Sequence, residues 1–223
     1  LYVIEDVAQA IGADYTFSDG RKQKAGTIGT IGCTSFFPSK NLGCIGDGGA
    51  LFTNDDTLAK KIRMIANHGQ SVQYVHDEIG VNSRLDSIQA AILRVKLKHL
   101  DSYAAARQKA AAYYDKAFSG NSKITTPERS KNSTHVFHQY TLVVNGVNRD
   151  ELRQYLAEKE IPAMIYYPIP LHMQKAYKDD RYKEGNFPVT EKLCANVLSL
   201  PMHTELDEEQ LEYITRAVLE FCK

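Results

Sequence analysis

The sequence predicts an α/β protein in two parts, a larger sheet-centred part over residues 1–118 and a smaller α+β part over 119–223. Three observations carry this. From residue 1 to about 56, short apolar runs alternate with glycine-rich turns, the texture of a sheet interior. From Ser83 to about Phe118, Leu85, Ile88, Ile92, Val95 and Tyr103 recur at helical spacing with no Pro or Gly. Beyond Ser119-Gly120-Asn121 the pattern changes to single strands and helices separated by polar loops.

Taken in order, Leu1-Tyr2-Val3-Ile4-Glu5-Asp6 reads as a short apolar strand ending in carboxylates, the pattern of a buried strand in a parallel sheet. A strand of this kind at a terminus exposes its edges unless others flank it, so the sequence is expected to be part of a longer protein. The polar, turn-rich stretch from Asp14 to Gly26 reads as a surface hairpin, and its basic residues as a solvated turn or as a face for an anionic ligand. Two further strands are expected at Cys33-Thr34-Ser35-Phe36-Phe37 and Gly49-Ala50-Leu51-Phe52-Thr53. Asn54-Asp55-Asp56 then supplies N-cap chemistry for a helix carrying Leu58, Ile62 and Ile65 on one face and stopping near Gly69. The 83–118 segment is one long helix or two in tandem, of the kind that bridges two domains. In the second part, Val136 to Val144 alternates as a strand, and Asn148 precedes a helix from Arg149 to Glu158 that Pro162 ends. Residues 166–188 read as a loop, and Asp207-Glu208-Glu209-Gln210 opens a final helix with Leu211, Ile214 and Val218 inward.

Composition narrows the function. The 223 residues hold 27 Lys+Arg against 27 Asp+Glu, so no surplus of positive charge drives binding to nucleic acid or anionic lipid. No apolar run approaches the ~20 residues that span a bilayer, and the sequence shows no charged leader followed by an apolar stretch. The four cysteines form no C-x-x-C pair and no metal-ligand spacing with the seven histidines, so no metal is expected, and reduced thiols in the cytoplasm are the default.

The densest cluster of unusual residues is Thr34-Ser35-Phe36-Phe37-Pro38-Ser39-Lys40-Asn41-Leu42-Gly43, followed by Gly46-Asp47-Gly48-Gly49. It places a lysine on a loop between two apolar strands. An amine taken out of water gives up its proton more easily and can attack a carbonyl to form an imine, while glycines let backbone approach an anion closely. A solvated lysine beside a tight turn is the other reading, and spacing alone leaves both open. The second cluster, Glu5-Asp6-Val7-Ala8-Gln9, puts an acid at the carboxyl end of a strand, where open α/β sheets bind ligands. Asp6 there could hold a ring nitrogen protonated or simply cap a turn.

Together these clusters resemble the sugar-nucleotide aminotransferases of the DegT/DnrJ/EryC1/StrS group, which are fold type I pyridoxal-phosphate (PLP) enzymes. The resemblance runs from Glu5-Asp6-x-Ala8-Gln9 through Ser35-Phe36-x-Pro38-x-Lys40, Gly46-Asp47-Gly48-Gly49 and His68-Gly69. It continues in Gly80-x-Asn82-Ser83-Arg84-Leu85-Asp86-x-x-Gln89-Ala90-Ala91, Tyr167-Pro168 and Leu200-Pro201-Met202-His203. It implies a mainly parallel sheet in the large domain, with a further N-terminal portion ahead of the first strand, plus a small α+β domain.

By this resemblance Lys40 is the catalytic residue that binds PLP covalently and carries the transferred proton. Related enzymes that dehydrate sugars tend to carry His there. Asp6 would pair with the pyridine nitrogen, Gln9 would sit against the ring near its phenolic oxygen, and Ser35 would bind the phosphate. Asn82 would reach the phosphate of the neighbouring subunit, which implies a homodimer with a shared active site. Arg84 would be a ligand or would brace its loop through an acid such as Asp86. Tyr166 and Tyr167 lie in the substrate-side loop, where the family's usual His-Tyr-Pro reads Tyr166-Tyr167-Pro168. His172 nearby reads more readily as a satisfied loop histidine than as a ligand. The implied reaction moves an amino group, with glutamate as donor, to a nucleotide-linked keto-sugar, and the wording around His68 and Asn82 favours C3 of a UDP-linked 3-keto-2-acetamido sugar or its uronic acid. Two alternatives stay open, a non-catalytic binding or regulatory protein on the same fold and a PLP-dependent sugar dehydratase.

Overall fold

The computed structural model describes residues 1–223 and divides into two compact units. The first comprises Leu1–Ala105 with Ser130–His138, and the second Ala106–Arg129 with Gln139–Lys223. This differs from a single boundary after residue 118, for two physical reasons. The long helix is divided between the units, and the segment after it returns to the first. There Asp14 N–H donates to Thr134 Oγ1 at 2.8 Å, Thr134 N–H to the Asp14 carbonyl at 2.9 Å, and Thr16 N–H to the Asn132 carbonyl at 2.7 Å.

In the first unit, β1 (Ile4–Asp6) pairs in parallel with β4 (Ile31–Ser35), and β4 pairs antiparallel with β5 (Gly49–Phe52), giving the order β1-β4-β5. Between β1 and β4 lies the expected hairpin, β2 (Asp14–Thr16) against β3 (Lys22–Lys24). Residues Leu1 to Ile4 are exposed, and in this chain β1 pairs only with β4. The helix α1 (Asp56–Ala66) starts at Asp55, whose carboxylate accepts the Thr57 and Leu58 N–H groups. Gly69, at φ 73, takes the left-handed conformation beyond its end, and a Cβ there would meet the Glu78 carbonyl oxygen at 1.8 Å. A small hairpin, β6 (Gln70–Val72) and β7 (Val75–His76), follows. The 83–118 segment resolves into α2 (Ser87–Lys96) and α3 (Leu100–Phe118), joined by one 3₁₀ turn. The core of this unit gathers Phe36, Leu42, Cys44, Leu93 and Leu100, with Ile11 and Ala50 against it.

The second unit is built on an antiparallel sheet in the order β10-β9-β8, formed by β8 (Ile124–Thr125), β9 (Tyr140–Val144) and β10 (Val197–Leu200). The strand expected from Val136 begins only at Tyr140, because Phe137 turns left-handed at φ 45 and breaks the extended run. Asn148 caps α4 (Arg149–Glu158) by accepting the Asp150 and Glu151 N–H groups. Residues 166–187 contain two 3₁₀ turns, after which Pro188, at the first position, opens α5 (Pro188–Asn196). The final helix α6 (Glu208–Phe221) begins with a capping box between Asp207 and Gln210 and buries Leu211, Ile214 and Val218. Tyr114, Phe118, Tyr140, Leu142, Leu152, Leu156 and Leu198 are sealed in the core. No helix is long and apolar enough to cross a membrane.

Candidate active site

The parallel pairing of β1 with β4 aligns Asp6 with Cys33, so the carboxyl ends of both strands lie at one edge of the sheet. Asp6 ends β1 there, Ser35 ends β4 two residues beyond the register partner of Asp6, and Lys40 follows in the turn after β4. Gln9 sits in the turn leaving β1, where Ala10 N–H donates to the Val7 carbonyl at 3.0 Å. Asp6 and Ser35 thus stand at the carboxyl ends of neighbouring strands, with Gln9 and Lys40 in the turns that follow, on the side where open α/β sheets bind ligands.

The turn that presents Lys40 is tightly specified. Lys40 N–H donates to the Phe37 carbonyl at 2.9 Å, and Cys44 N–H donates to the Phe36 carbonyl at 2.8 Å. A Cβ on Gly43 would lie 2.4 Å from the Pro38 carbonyl oxygen, so only glycine lets the chain fold back this closely. From α2, Lys96 Nζ donates to the Gly43 carbonyl at 2.5 Å, and the Gln89 side-chain oxygen accepts Ile45 N–H at 2.9 Å. Lys40 itself is half-buried.

The functional groups at this edge keep capacity for a ligand. Asp6 is exposed, and one of its oxygens accepts Ala8 N–H at 3.0 Å, leaving the other for a cationic ring nitrogen. The Ser35 hydroxyl accepts Phe37 N–H at 3.2 Å and so retains its own proton to donate to an anionic oxygen. These residues fit pyridoxal phosphate by the chemistry of the donor set: an amine for its aldehyde, a carboxylate for its ring nitrogen and a hydroxyl for its phosphate.

Asn82 belongs to the same unit. It lines a groove of about 910 Å³ with Gly49, Leu51, Ile62 and Arg63, a groove that Lys40, Asp6, Gln9 and Ser35 do not line. Arg84 braces this loop, through Asn82 rather than Asp86, by donating Nε–H to the Asn82 side-chain oxygen at 3.0 Å. That bond leaves the Asn82 amide N–H groups to point at another acceptor. Tyr166 and Tyr167 belong to the second unit, with their rings in edge contact at 5.6 Å between centroids. His172 is nearly buried and paired, its Nε2 lying 3.0 Å from Glu191 Oε1. Glu191 also accepts the Gly185 and Phe187 N–H groups, so it ties both ends of the 172–187 loop together. Burial works against its ionisation, and these partners outweigh it and lower its pKa.

Sequence reasoning missed Glu5 and Asn41. The Glu5 carboxylate accepts the Gly26 and Ile28 N–H groups, each at 2.7 Å, and also Gly29 N–H. Its signal was a second acid at the strand end followed by a glycine-rich turn. Asn41 is 6% exposed and hydrogen-bonded through both ends of its amide. Its signal was a carboxamide set between Lys40 and an apolar Leu42.

Comparison with known proteins gives a consistent picture. The profile of the DegT/DnrJ/EryC1/StrS aminotransferase family matches residues 1–219. The chain is 47% identical over 225 residues to the "Pleiotropic regulatory protein" of Geobacillus stearothermophilus, covering 100% of this chain and 59% of that protein. It is 45% identical over 216 residues to the UDP-2-acetamido-2-deoxy-3-oxo-D-glucuronate aminotransferase of Pseudomonas aeruginosa, covering 97% and 57%. Among solved structures it superposes on DesV of S. venezuelae, determined in complex with a ketimine intermediate, with a TM-score of 0.92 and 40% identity, covering 100% of this chain and 58% of DesV. The chain therefore spans less than two thirds of the length of these relatives. On the match across nearly its whole length, the chain belongs to the DegT/DnrJ/EryC1/StrS aminotransferase family and has the fold of the type I pyridoxal-phosphate enzymes.

Proposed function

We propose that the full-length protein is a cytoplasmic, homodimeric, PLP-dependent aminotransferase that moves an amino group from glutamate to the keto carbon of a nucleotide-linked sugar. The observation that carries this reading is the placement of Asp6, Ser35 and Lys40 at the carboxyl edge of one parallel strand pair. Bound pyridoxal phosphate supplies an electron sink for the carbanion formed beside the transferred nitrogen. Lys40 Nζ would hold the cofactor and, when free, would carry the transferred proton. The Asp6 carboxylate would hold a proton on the ring nitrogen, which would strengthen the electron withdrawal the cofactor supplies. The Ser35 hydroxyl binds the phosphate, Gln9 packs near the ring, and Asn82 serves the site of the neighbouring subunit. Tyr166 and Tyr167 take the substrate side.

The 3-oxo substrate in the name of the Pseudomonas aeruginosa relative supports C3 of a UDP-linked 2-acetamido sugar or uronic acid. A panel of 3-keto and 4-keto sugar nucleotides assayed with glutamate tests this, and exclusive use of a 4-keto sugar overturns the C3 assignment. Borohydride reduction of the purified full-length protein, followed by peptide mass spectrometry, tests the cofactor. The expected result is a phosphopyridoxyl group on Lys40.

The name of the Geobacillus stearothermophilus relative favours a second reading, a regulatory protein that binds a ligand without turnover. The two readings separate on adding glutamate to the yellow holoprotein. Bleaching supports the aminotransferase, whereas tight sugar-nucleotide binding without bleaching supports the regulator.

A further inference from the structure

Asn41, the residue after Lys40, is a buried carboxamide whose two ends are both occupied. Its Nδ2–H donates to the Val136 carbonyl at 2.9 Å, and its Oδ1 lies 3.3 Å from His138 Nδ1. The amide cannot be turned over, because a carbonyl oxygen only accepts and Oδ1 facing Val136 O would oppose two acceptors. Oδ1 therefore faces the imidazole, and His138 Nδ1 must carry the proton it donates. Phe137, fully buried at φ 45, makes this possible. Its left-handed turn brings the carbonyl of residue 136 and the side chain of residue 138 onto one carboxamide, which an extended strand would send to different neighbours.

Resting on the reading of Lys40 as the cofactor lysine, we infer that Asn41 and His138 are positioning residues. They tie the lysine turn to the 136–138 segment and so fix where the Lys40 amine is presented. Gln89 and Lys96 hold the far side of the turn at Ile45 and Gly43. The Asn41–His138 pair is the hold immediately beside Lys40. It makes the rate at which the amine captures an aldehyde depend on which nitrogen of residue 138 bears a proton.

Side-chain geometry supplies the test. An asparagine amide nitrogen reproduces Nδ1–H, whereas the longer glutamine places its amide nitrogen near Nε2. In the full-length protein, His138→Asn, His138→Gln and Asn41→Asp are compared by backbone amide exchange at residues 41–45 without cofactor, by the rate of Lys40 capture by PLP trapped with borohydride, and by kcat and KM. His138→Gln and Asn41→Asp are expected to speed exchange at 41–45 and slow Lys40 capture about tenfold, while His138→Asn stays within about twofold of wild type. The loss should fall on kcat and leave KM for the keto-sugar unchanged, because the inference gives both residues a hold on the lysine turn and no contact with the sugar. Equal behaviour of His138→Asn and His138→Gln in exchange and capture overturns the inference, as does unchanged exchange in Asn41→Asp. A wild-type protein that gives no Lys40 adduct overturns the cofactor reading instead. Exchange at 41–45 then decides by itself whether the pair holds the turn.

Discussion

Glu5 and Asp6 are adjacent acids on β1 with different duties. The Glu5 carboxylate gathers three backbone N–H groups from the 26–29 turn, whereas Asp6 accepts only Ala8 N–H and stays exposed. Neighbouring side chains on a strand point to opposite faces, so one acid is committed to the fold and the other remains available for chemistry. Glu5→Ala is expected to lower stability by about 2–3 kcal/mol, since it orphans donors that were paired with a charge. On the proposed reading of Asp6 as the partner of the cofactor's ring nitrogen, Asp6→Asn should leave the urea midpoint near wild type and lower kcat about 100-fold. Denaturation and steady-state kinetics on the two variants check this division.

The same turn should loosen in acid. Burial works against ionisation of Glu5, but the N–H groups of Gly29, Gly26 and Ile28 outweigh it and hold its pKa below the ordinary 4.5. A carboxyl lowered on folding contributes stability that is present above its unfolded pKa and is lost as pH falls through its folded one. Protection of the amides at 26, 28 and 29, taken relative to their intrinsic exchange rates at each pH, is therefore expected to fall below pH 4.5 in the wild type. In Glu5→Gln, which has no proton to gain, the acid-dependent loss of protection should disappear.

In the second unit, Tyr140 donates its hydroxyl to Asp115 Oδ1 at 2.6 Å, and Tyr114 donates to the Pro201 carbonyl at 2.9 Å. Burial pushes both phenols well above the ordinary 10.0, and for Tyr140 the hydrogen bond to Asp115 adds to it. A pKa raised on folding gives stability present below the unfolded value and lost as pH rises through the folded one. Absorbance titration of the native protein should thus find two of the 13 tyrosines ionising only when the chain unfolds in strong alkali. Tyr140→Phe is expected to cost about 1.5–3 kcal/mol, because a hydrogen bond to a carboxylate is lost, while Tyr114→Phe costs about 1 kcal/mol.

Elements that announce themselves through local chemistry were legible in the sequence. Asp55, Asn148 and Asp207 each cap the helix expected after them, and Gly69 lies just past the end of α1. Elements defined by distant partners were not. The four-residue β10 is a strand because Val197 to Leu200 pair with β9, and the helix before it was hidden by Pro188, which marks a helix start as readily as a loop. The strand expected at Val136 fails at Phe137, whose positive φ reflects what its neighbours bind rather than its own propensity. The same holds at the site. The spacing of Ser35 and Lys40 could be read from the chain, while the hold that Asn41 has on residues 95 and 97 positions away could not.

Gly43 offers a test of how strictly the Lys40 turn is built. An added Cβ would meet two backbone oxygens, Pro38 O at 2.4 Å and Phe37 O at 2.7 Å, which cannot rotate aside as a side chain can. At Gly20, by contrast, nothing lies within 4 Å of the added atom, and only its φ of +85 resists substitution. Gly20→Ala should therefore cost about 1 kcal/mol through backbone strain alone and leave Lys40 capture by PLP unchanged. Gly43→Ala must push the 37–43 backbone apart, which breaks the approach that brings the Gly43 carbonyl to Lys96. It is expected to cost more than about 2 kcal/mol and to slow Lys40 capture at least tenfold. Equal effects of the two substitutions on capture would mean that the lysine turn tolerates displacement, and that the packing around Gly43 serves stability without governing where the amine lies.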